Sequence, residues 1–325
     1  MFDVITAGSA TVDIFAYTDK SSIIELRGKK KDEEFIAYPA GSKMLLKRLT
    51  FATGGGGTNT ATCFSRLGLK TAYFGCVGRD DNGKKILREL KKEKVAFIGT
   101  KTGSMTNVSI ILDSIEHDRT ILTYKKASDE IRFKDAKEQK LKTKWLYFSS
   151  LTDDAYRTLE ELAIFAEKNK IKIAFNPSSY LAEKGQKYLQ KVLKRTNVLV
   201  LNREEAELIA GKGSEKELLK RLLITGPELV VITDGKKGAH AGNGKDYYYI
   251  KPNHQKVAET TGAGDAFAAT VVAGIIRKKT LEQALKDAQA NAESVIQQVG
   301  AKKGLLNWKD INRAANRIKI TKEKL

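Results

Sequence analysis

Short apolar runs that alternate with helical patterns constrain the fold of this chain more than any other feature. Such runs stand at 4–8, 145–148, 171–175, 198–201 and 229–233, and amphipathic helical patterns separate the later ones. Strands that are apolar along their whole length are typical of a parallel sheet covered by helices on both faces. The sequence therefore predicts an α/β sandwich with a mostly parallel central sheet.

Two early insertions, at residues 13–50 and 100–125, interrupt this rhythm, and both are polar or carry β-type patterns. Sheets of the predicted class bind ligands beyond the carboxyl ends of their strands. We therefore predict that the insertions form a small β lid over that edge of the sheet. The remaining residues, 1–12, 51–99 and 126–325, are predicted to form the α/β core.

The chain is strongly basic, because 58 lysines and arginines against 39 aspartates and glutamates give a net charge of +19. A basic surface favours anionic partners, among them nucleotides and nucleic acids. The lysines, however, lie in pairs along the whole chain, and aromatic residues do not alternate with them in any one block. We therefore expect a solvated lysine-rich surface without specific nucleic-acid binding, and a nucleic-acid-binding protein stays open as an alternative from another functional class.

The sequence contains two cysteines, Cys63 and Cys76, and no apolar stretch long enough to span a bilayer. Two isolated thiols make neither a disulfide framework nor a metal-ligand cluster. A spanning helix needs about 20 consecutive, mostly apolar residues. The N-terminus reads as a strand rather than as a signal peptide. We therefore expect no membrane attachment and a cytoplasmic location.

The stretch 259–267, with the sequence ETTGAGDAF, carries the clearest chemical signal. Gly262 and Gly264 allow a ligand to approach backbone amides at the start of a helix, where anions bind. Asp265 places a carboxylate beside those amides, and transfer of a phosphoryl group to a hydroxyl uses such a pair of anion site and base. From these residues alone, an ordinary glycine-rich helix start with an aspartate that serves the helix dipole is the alternative.

The same stretch is one of several motifs that stand in a characteristic order over residues 4–304. The others are GSATVD at 8–13, GGGGTNTA at 54–61 with RLG at 66–68, GCVGRDDNG at 75–83, NREE at 202–205, and TDG at 233–235 with Gly238. In this set and order the chain resembles the ribokinase-like, or PfkB, family of carbohydrate kinases. The resemblance implies a ribokinase-like αβα sandwich with a β lid. It also implies transfer of the γ-phosphate of ATP to an alcohol of a sugar or nucleoside, with Mg²⁺.

The resemblance further implies roles for individual residues. The catalytic set is a general base and an anion hole, namely Asp265 with Gly262, Ala263 and Gly264. The residues expected to hold substrate hydroxyls are Asp13, Gly54, Gly55 and Asn59. The residues expected on the nucleotide side are Asn202, Glu205, Thr233, Gly235, Gly238 and Asn291, with Glu205 contacting Mg²⁺ through water.

Ordinary structural roles stay open for most of these residues when each is considered singly. Asp13 suits a solvated loop, and Asn59 suits the first turn of a helix. The NREE motif has the spacing of a capping box, and the TDG motif suits a turn at a strand end. The glycine run at 54–57 is not followed by Gly-Lys-Ser/Thr and so is not a Walker A loop. The histidines are far apart in sequence and are predicted to lie in exposed loops: His117, His240 and His254.

Two departures from the family pattern refine the predicted substrate and cofactors. Glu259 stands where many members carry an aspartate beside a monovalent cation, so we expect little stimulation by K⁺. Gly56 stands where members that act on phosphosugars often carry a lysine, which favours an unphosphorylated acceptor. The basic residues of the predicted lid that are available for a phosphate are Lys43, Lys47, Arg48 and Arg119.

The predicted function is therefore ATP-dependent phosphorylation of a small sugar, with a nucleoside as the second choice. A catalytically silent relative that senses sugars or nucleotides is a further alternative, and the intact Asp265 with its glycines argues against it. A homodimer formed through the lid is the expected assembly.

Overall fold

A computed structural model describes residues 1–26, 33–113, 119–136, 140–253 and 255–325. The helices are α1 (Gly56–Arg66), α2 (Asp81–Lys92), α3 (Asp153–Lys168), α4 (Ser179–Ala182), α5 (Gly185–Leu193), α6 (Arg203–Ala210), α7 (Glu215–Ile224), α8 (Ala263–Ile276), α9 (Leu281–Val295) and α10 (Trp308–Ala315). The strands of the first half are β1 (Phe2–Ala7), β2 (Thr11–Tyr17), β3 (Ser22–Leu26), β4 (Glu33–Ala37), β5 (Arg48–Gly54), β6 (Thr71–Phe74), β7 (Cys76–Gly78), β8 (Ala96–Phe97), β9 (Thr100–Thr102), β10 (Asn107–Asp113), β11 (Arg119–Tyr124) and β12 (Thr143–Phe148). The later strands are β13 (Lys172–Phe175), β14 (Val198–Asn202), β15 (Leu229–Thr233), β16 (Ala239–Gly242), β17 (Asp246–Lys251) and β18 (Lys319–Lys324).

The central sheet confirms the predicted α/β class. In the described part of the chain it has ten strands, in the order β18-β17-β16-β15-β14-β13-β12-β1-β6-β8. The strands from β15 to β8 pair in parallel, whereas β16, β17 and β18 pair antiparallel at the other end. The central parallel strands are buried along most of their length, as continuous apolar runs predict.

Helices cover both faces of this sheet, which confirms the αβα sandwich. Helices α3, α5, α6 and α7 pack on one face, and α1, α8, α9 and α10 pack on the other. Helix α8 is buried at every residue from Ala266 to Gly274, because small side chains let its neighbours approach closely. A Cβ at Gly274, for example, would press against Ala284 of α9. Packing on all sides thus fixes the position at which α8 begins. Within the described ranges, no helix combines the length and apolarity that crossing a membrane requires.

A smaller sheet is formed by four strands in the order β11-β10-β2-β5. All four come from or border the two predicted lid segments, but their bounds differ from the predicted ones. Strand β2 begins at Thr11, and β5 continues to Gly54, so the sheet joins the core through both. Strand β9 pairs with β7 instead of joining this sheet. Whether the sheet closes over the site as a lid stays a prediction.

The structure also shows local features that the sequence patterns did not indicate. Residues 71–77 contain two short strands, β6 and β7, separated at Gly75, against which the hydroxyl of Tyr73 packs. Strands β16 and β18 were not predicted, since β16 is only four residues long and the edge strand β18 consists mostly of exposed polar residues, so that neither has a continuous apolar run. His240 is not an exposed loop residue but lies buried in β16, with Nδ1 2.8 Å from Oη of Tyr247. The other two histidines, His117 and His254, lie outside the described residues.

Candidate active site

Helix α8 begins with free backbone amides that face open space. Gly262 precedes the helix with φ at +83°, a left-handed conformation that glycine adopts readily. The amide of Ala263 donates to the carbonyl of Thr260 at 3.3 Å, whereas the described residues supply no acceptor for the amides of Gly264 and Asp265. A Cβ added at Gly264 would meet no protein atom within 4 Å. The first turn of α8 therefore has the unpaired donors and the space that an anion site requires.

The carboxylate of Asp265 lies half-buried in this first turn and is held from another helix. Its Oδ2 accepts a hydrogen bond from Nδ2 of Asn59, on α1, at 2.8 Å. The other amide atom of Asn59, Oδ1, is buried and has no hydrogen-bond partner among the described residues. Burial raises the pKa of Asp265, while the Asn59 hydrogen bond and the charge of Lys302 act in the opposite direction. The pair thus offers a base and an unused hydrogen-bond acceptor side by side.

Asp13 lies on β2, with its carboxylate directly above the end of β5. Its side chain is 6% exposed. A Cβ at Gly54 would overlap Oδ2 of Asp13, so this position accepts only glycine unless the carboxylate moves. Gly55 follows with φ at +92° and caps the start of α1. Gly54 is therefore required by close packing against Asp13, and Gly55 is required by the turn into the helix.

The electrostatic surroundings of Asp13 include a lysine that sequence reasoning missed. Burial raises the pKa of Asp13 to about 6. Lys302 and a hydrogen bond from Ser109 act to lower it, whereas the charges of Asp265 and Glu259 act to raise it further. Lys302 is only 7% exposed, although it stands in a lysine–lysine–glycine stretch that resembles a surface loop.

A cleft of about 310 Å³ lies beside the start of α8. Its floor consists of polar residues that end or directly follow buried parallel strands, namely Ser149, Ser150, Asn176, Asn202 and Thr233. The first three of these were missed. A polar residue immediately after each apolar run is the signal that identifies them, because carboxyl ends of parallel strands meet at one edge.

Asn202 and Glu205 both line the cleft, and each also caps the start of α6. The amide of Glu205 donates to Oδ1 of Asn202 at 2.8 Å, and the amide of Asn202 donates to Oε2 of Glu205 at 2.9 Å. The second carboxylate oxygen, Oε1, has only a long contact of 3.5 Å with Oγ of Ser179. Burial raises the pKa of Glu205 to about 7. The capping box is thus present, and it leaves one carboxylate oxygen only weakly engaged.

The remaining residues predicted for the nucleotide side divide into two groups. Thr233 lines the cleft at the end of β15. Gly235, with φ at +48°, lies in the turn that follows, and a Cβ there would meet no protein atom. Gly238 has a structural position instead, because a Cβ there would overlap the carbonyl of Ile250 in β17. We therefore remove Gly238 from the nucleotide-contacting set.

Asn291 lies inside the protein, and we also remove it from that set. The residue is fully buried in α9. Its Nδ2 donates to Oγ1 of Thr270 at 2.8 Å, and its Oδ1 accepts from the amide of Leu306 at 2.9 Å. The side chain therefore links α8, α9 and the segment before α10, and both of its polar atoms are already bonded.

The basic residues expected to meet a phosphate are not those that line the cleft. Lys43, Lys47 and Arg48 do not line it, and the side chain of Arg119 lies outside the described residues. Lys125, which directly follows β11, does line it. The sequence alone showed Lys125 only as half of one of many scattered lysine pairs.

The two departures from the family pattern have clear local consequences. A Cβ at Gly56 would overlap Oγ of Ser149, so a longer side chain would have to displace that serine. The Oε1 atom of Glu259 accepts hydrogen bonds from the amide and the hydroxyl of Thr261, at 2.9 and 2.8 Å. One oxygen of this carboxylate is thus directed back into its own loop.

Transfer of a phosphoryl group to an alcohol needs an anion site next to a base, and the first turn of α8 offers both. Fold and site together define an α/β phosphotransferase. Residues 5–308 match the pattern that describes the pfkB family carbohydrate kinases. The chain belongs to this family and is a carbohydrate kinase, a phosphotransferase with an alcohol group as acceptor.

Relatives and solved structures support this assignment. The chain is 26% identical to the ATP-dependent 6-phosphofructokinase of Thermoanaerobacterium thermosaccharolyticum over 309 residues, which cover 92% of this chain and 89% of the relative. It is also 26% identical to the ribokinase of Haemophilus influenzae over 264 residues, which cover 78% of this chain and 84% of the relative. The ribokinase structure from Thermotoga maritima matches with a TM-score of 0.80 at 17% identity, over 98% of this chain and 100% of that one. The adenosine kinase structure from Sinorhizobium meliloti matches with a TM-score of 0.79 at 22% identity, over 97% and 99%. These similarities establish the ribokinase fold.

Proposed function

We propose that this kinase transfers the γ-phosphate of ATP to a hydroxyl of a small sugar, with Asp265 as the general base. The position of Asp265 carries the proposal, because its carboxylate lies in the first turn of α8 and is oriented by Asn59 at 2.8 Å. As the hydroxyl oxygen of an acceptor beside Asp265 attacks the γ-phosphorus, its proton passes to the carboxylate, and the bond from the γ-phosphorus to the bridging oxygen breaks so that ADP leaves. Of the predicted anion hole of Gly262, Ala263 and Gly264, the amide of Ala263 already donates to Thr260, so we assign the free amides of Gly264 and Asp265 to the negative charge that develops on the transferred group.

The surroundings of Asp265 tune it for this role in two opposing ways. Burial raises its pKa, and a more basic carboxylate accepts a proton from an alcohol more readily. The hydrogen bond from Asn59 and the charge of Lys302 favour the ionised form, which is the form that acts as a base. Asn59 also fixes the orientation of the carboxylate, so its contribution is positioning as well as substrate binding.

The acceptor side fits a compound with several hydroxyl groups. The carboxylate of Asp13 and the unpaired Oδ1 of Asn59 are both buried acceptors of hydrogen bonds. Two such acceptors near one base match neighbouring hydroxyls of a sugar, each of which donates one hydrogen bond. A nucleoside offers the same hydroxyls on its ribose and is the second candidate. Gly56 supports an unphosphorylated acceptor, while Lys125 supplies a positive charge to the cleft for the phosphates of the donor.

Mg²⁺ bound to the donor would bridge and neutralise the β- and γ-phosphate charges. No cluster of three or more acidic, histidine or cysteine side chains that could hold a metal ion occurs in the described ranges. Glu205 fits an indirect contact through the water shell of the ion, because its Oε1 faces the cleft region with only a 3.5 Å contact to Ser179. A nearby cation favours the ionised form of this carboxylate, whose pKa burial raises to about 7. On the same side, we assign Asn202, Thr233 and Gly235 to the nucleotide.

One face of the small sheet supports the expected homodimer. Register places five apolar residues on the face opposite to Asp13, namely Leu49, Phe51, Ile110, Leu122 and Tyr124. Their side chains are between 39% and 54% exposed. A contiguous apolar patch on a sheet is typical of a protein interface. Light scattering should therefore give twice the chain mass of 36.0 kDa, and Phe51→Glu should give the single-chain mass. A cytoplasmic location stays a prediction.

A panel of acceptors tests the proposed function. ADP release is measured with pentoses, hexoses, their phosphates and nucleosides, and the product is identified by phosphorus NMR. One free sugar should raise ADP release far above the rate with ATP alone, and Asp265→Asn should abolish most of that increase. A nucleoside as best acceptor would select the second candidate. Absence of any phosphorylated product, together with sequence-dependent retention of nucleic acid at about 200 mM salt, would instead favour the nucleic-acid-binding alternative.

A further inference from the structure

Lys302 is a buried lysine whose ammonium group joins two distant parts of the chain. Its Nζ donates to Oγ1 of Thr53 at 2.8 Å and to Oε1 of Glu89 at 3.2 Å. Thr53 belongs to β5 and Glu89 to α2. Removing a charge from water is costly unless it is paired and hydrogen-bonded, so these two contacts are needed for the lysine to remain here.

The loop that carries Lys302 also supports the start of α8. A Cβ at Gly262 would overlap Ala301, so the loop and the anion site touch without spare room. On its other side, Gly300 lies close to Ala52 of β5, since an added Cβ would be 3.5 Å from that side chain. The guanidinium of Arg66 fixes the loop from α1, because Nη1 donates to the carbonyl of Lys302 at 2.7 Å.

The contact with Thr53 reaches the acceptor side as well. Thr53 directly precedes Gly54, whose Cα lies against the carboxylate of Asp13. We propose that Lys302 is a positioning residue for phosphoryl transfer, which clamps the end of β5 to the loop beneath the anion site and keeps a positive charge near Asp13. This inference rests on the proposed kinase function, and it adds a residue that none of the recognised motifs contains.

The charges around the two groups define the expected pH dependence. The acidic groups that face Lys302 are Glu89, Asp13, Glu93 and Asp265, and Arg66 holds Glu93 through two hydrogen bonds of 2.9 and 2.7 Å. The groups that face Asp13 are Lys302, Ser109, Asp265 and Glu259. Lys302 lowers the pKa of Asp13 against the effect of burial. Loss of its charge therefore raises the pKa of Asp13, so that Asp13 becomes protonated at higher pH and binds acceptor hydroxyls less well.

The charge is tested with Lys302→Met, Lys302→Arg and the exposed neighbour Lys303→Met as the matched control. Kinetics for acceptor and for ATP are measured from about pH 5.5 to 8.5. If the pKa of Asp13 rises by one unit from about 6, Lys302→Met should raise the acceptor KM roughly threefold near pH 6.5, roughly eightfold near pH 5.5 and hardly at all at pH 8.5, because the ionised fraction of Asp13 falls by those factors. The acid limb of kcat/KM for the acceptor should move to higher pH, while the KM for ATP stays unchanged. Lys302→Arg should keep the limb near its wild-type position, and Lys303→Met should match wild type throughout.

The clamp is tested separately, by amide hydrogen exchange in the absence of substrates. Lys302→Met should accelerate exchange in residues 49–54 and at the start of α8 relative to wild type. Thr53→Val, which removes the hydrogen bond but keeps the lysine charge, should accelerate exchange in β5 without moving the acid limb. If Lys302→Met lost activity equally at every pH, and the acid limb of the kcat/KM profile did not move, Lys302 would be an ordinary structural residue. If the wild-type protein phosphorylates no acceptor, the kinase proposal fails on that result. Independently of this, unchanged amide hydrogen exchange in both Lys302→Met and Thr53→Val would overturn the clamp.

Discussion

The acceptor side and the nucleotide side of the site are built in different ways. On the acceptor side, Asp13 and Asn59 are 6% and 5% exposed, and Gly54 leaves no room for even one more carbon atom. On the nucleotide side, Asn202 is exposed, and Glu205 uses one carboxylate oxygen to cap its own helix. A Cβ added at Gly235 would meet no protein atom within 4 Å. The acceptor side is therefore ordered by packing before substrate arrives, whereas the nucleotide side offers groups that donor and solvent can reach. Substitutions on the two sides should accordingly affect different kinetic constants.

Asp265→Asn should have the largest effect. Asparagine keeps the size of the side chain but removes the basic site, and general-base catalysis contributes about 10²–10⁴-fold. We expect kcat to fall by that factor, while calorimetric binding of ATP changes little. Asp310→Asn is the matched control, because Asp310 occupies the first turn of α10 and serves only a helix start. A turnover of Asp265→Asn within about threefold of wild type would contradict the base assignment, because a threefold loss is far smaller than the contribution of a general base.

Gly54→Ala should have the next largest effect and tests how tightly the acceptor side is packed. The added Cβ overlaps Oδ2 of Asp13, so the carboxylate must move. Misplacement of a binding group by about 1 Å can cost about 10²-fold, and we expect kcat/KM for the acceptor to fall by about 10- to 100-fold. The KM for ATP should not change. Gly103→Ala, at an exposed glycine with open space around it, serves as the control. If kcat/KM fell equally for the acceptor and for ATP, the proposed difference between the acceptor side and the nucleotide side would be wrong.

Glu205→Gln should have a smaller effect, which depends on Mg²⁺. Glutamine retains an oxygen that can cap Asn202 but loses the charge that faces the water shell of the ion. Loss of such an outer-shell partner typically costs about 10–100-fold, and we expect the lower end of that range because added Mg²⁺ should restore part of the activity. In wild type the Mg²⁺ requirement should rise as pH falls below 7, because burial raises the pKa of Glu205 to about 7 and protonation removes its charge. Activity of Glu205→Gln that is insensitive to Mg²⁺ would place the carboxylate outside the metal's surroundings.

Replacement of Na⁺ or tetramethylammonium by K⁺ should have the smallest effect. Glu259 directs one carboxylate oxygen to Thr261 in its own loop, at 2.8 and 2.9 Å, where many family members carry the shorter aspartate. Turnover is measured during a KCl titration at constant ionic strength, and we expect it to stay nearly constant. A several-fold rise in kcat with K⁺ would show that the longer side chain still permits a monovalent cation to bind near the anion site.

The parts of the fold that sequence predicted correctly are those with strong local patterns. Strands such as β12 and β15 are apolar throughout, and α8 begins at a glycine pair and continues in small residues, so each segment indicates its own conformation and burial. Strand β18 escaped prediction because five of its six residues are lysine, threonine or glutamate, and its place is decided by pairing with β17. His240 was misplaced for the same reason, since pairing between β15 and β17 buries it.

The candidate site divides in a similar way. Motif order indicated Asp265, Asn59 and Asp13 as members of one site, and the structure brings these three together. The same reasoning placed Gly238 and Asn291 on the nucleotide side, although close strand packing and a buried hydrogen-bond network respectively account for them. Ser149 and Asn176 were missed although each directly follows an apolar run, and Lys125 was missed because its local sequence resembles that of the other scattered lysine pairs.

The sequence by itself determined the class of sheet, the glycine-rich start of α8 and the order of the family motifs, because each depends on residues close together in the chain. Only the tertiary structure decided which polar groups meet. Asn59 and Asp265 are 206 residues apart, and Thr53 and Lys302 are 249 apart. Lys302 has the sequence surroundings of a surface lysine, yet it is buried because β5, α2 and the loop after α9 converge on it. The local sequence pattern indicates whether a segment prefers to be buried. The partner of a buried charge, however, depends on packing between segments that are far apart in the chain.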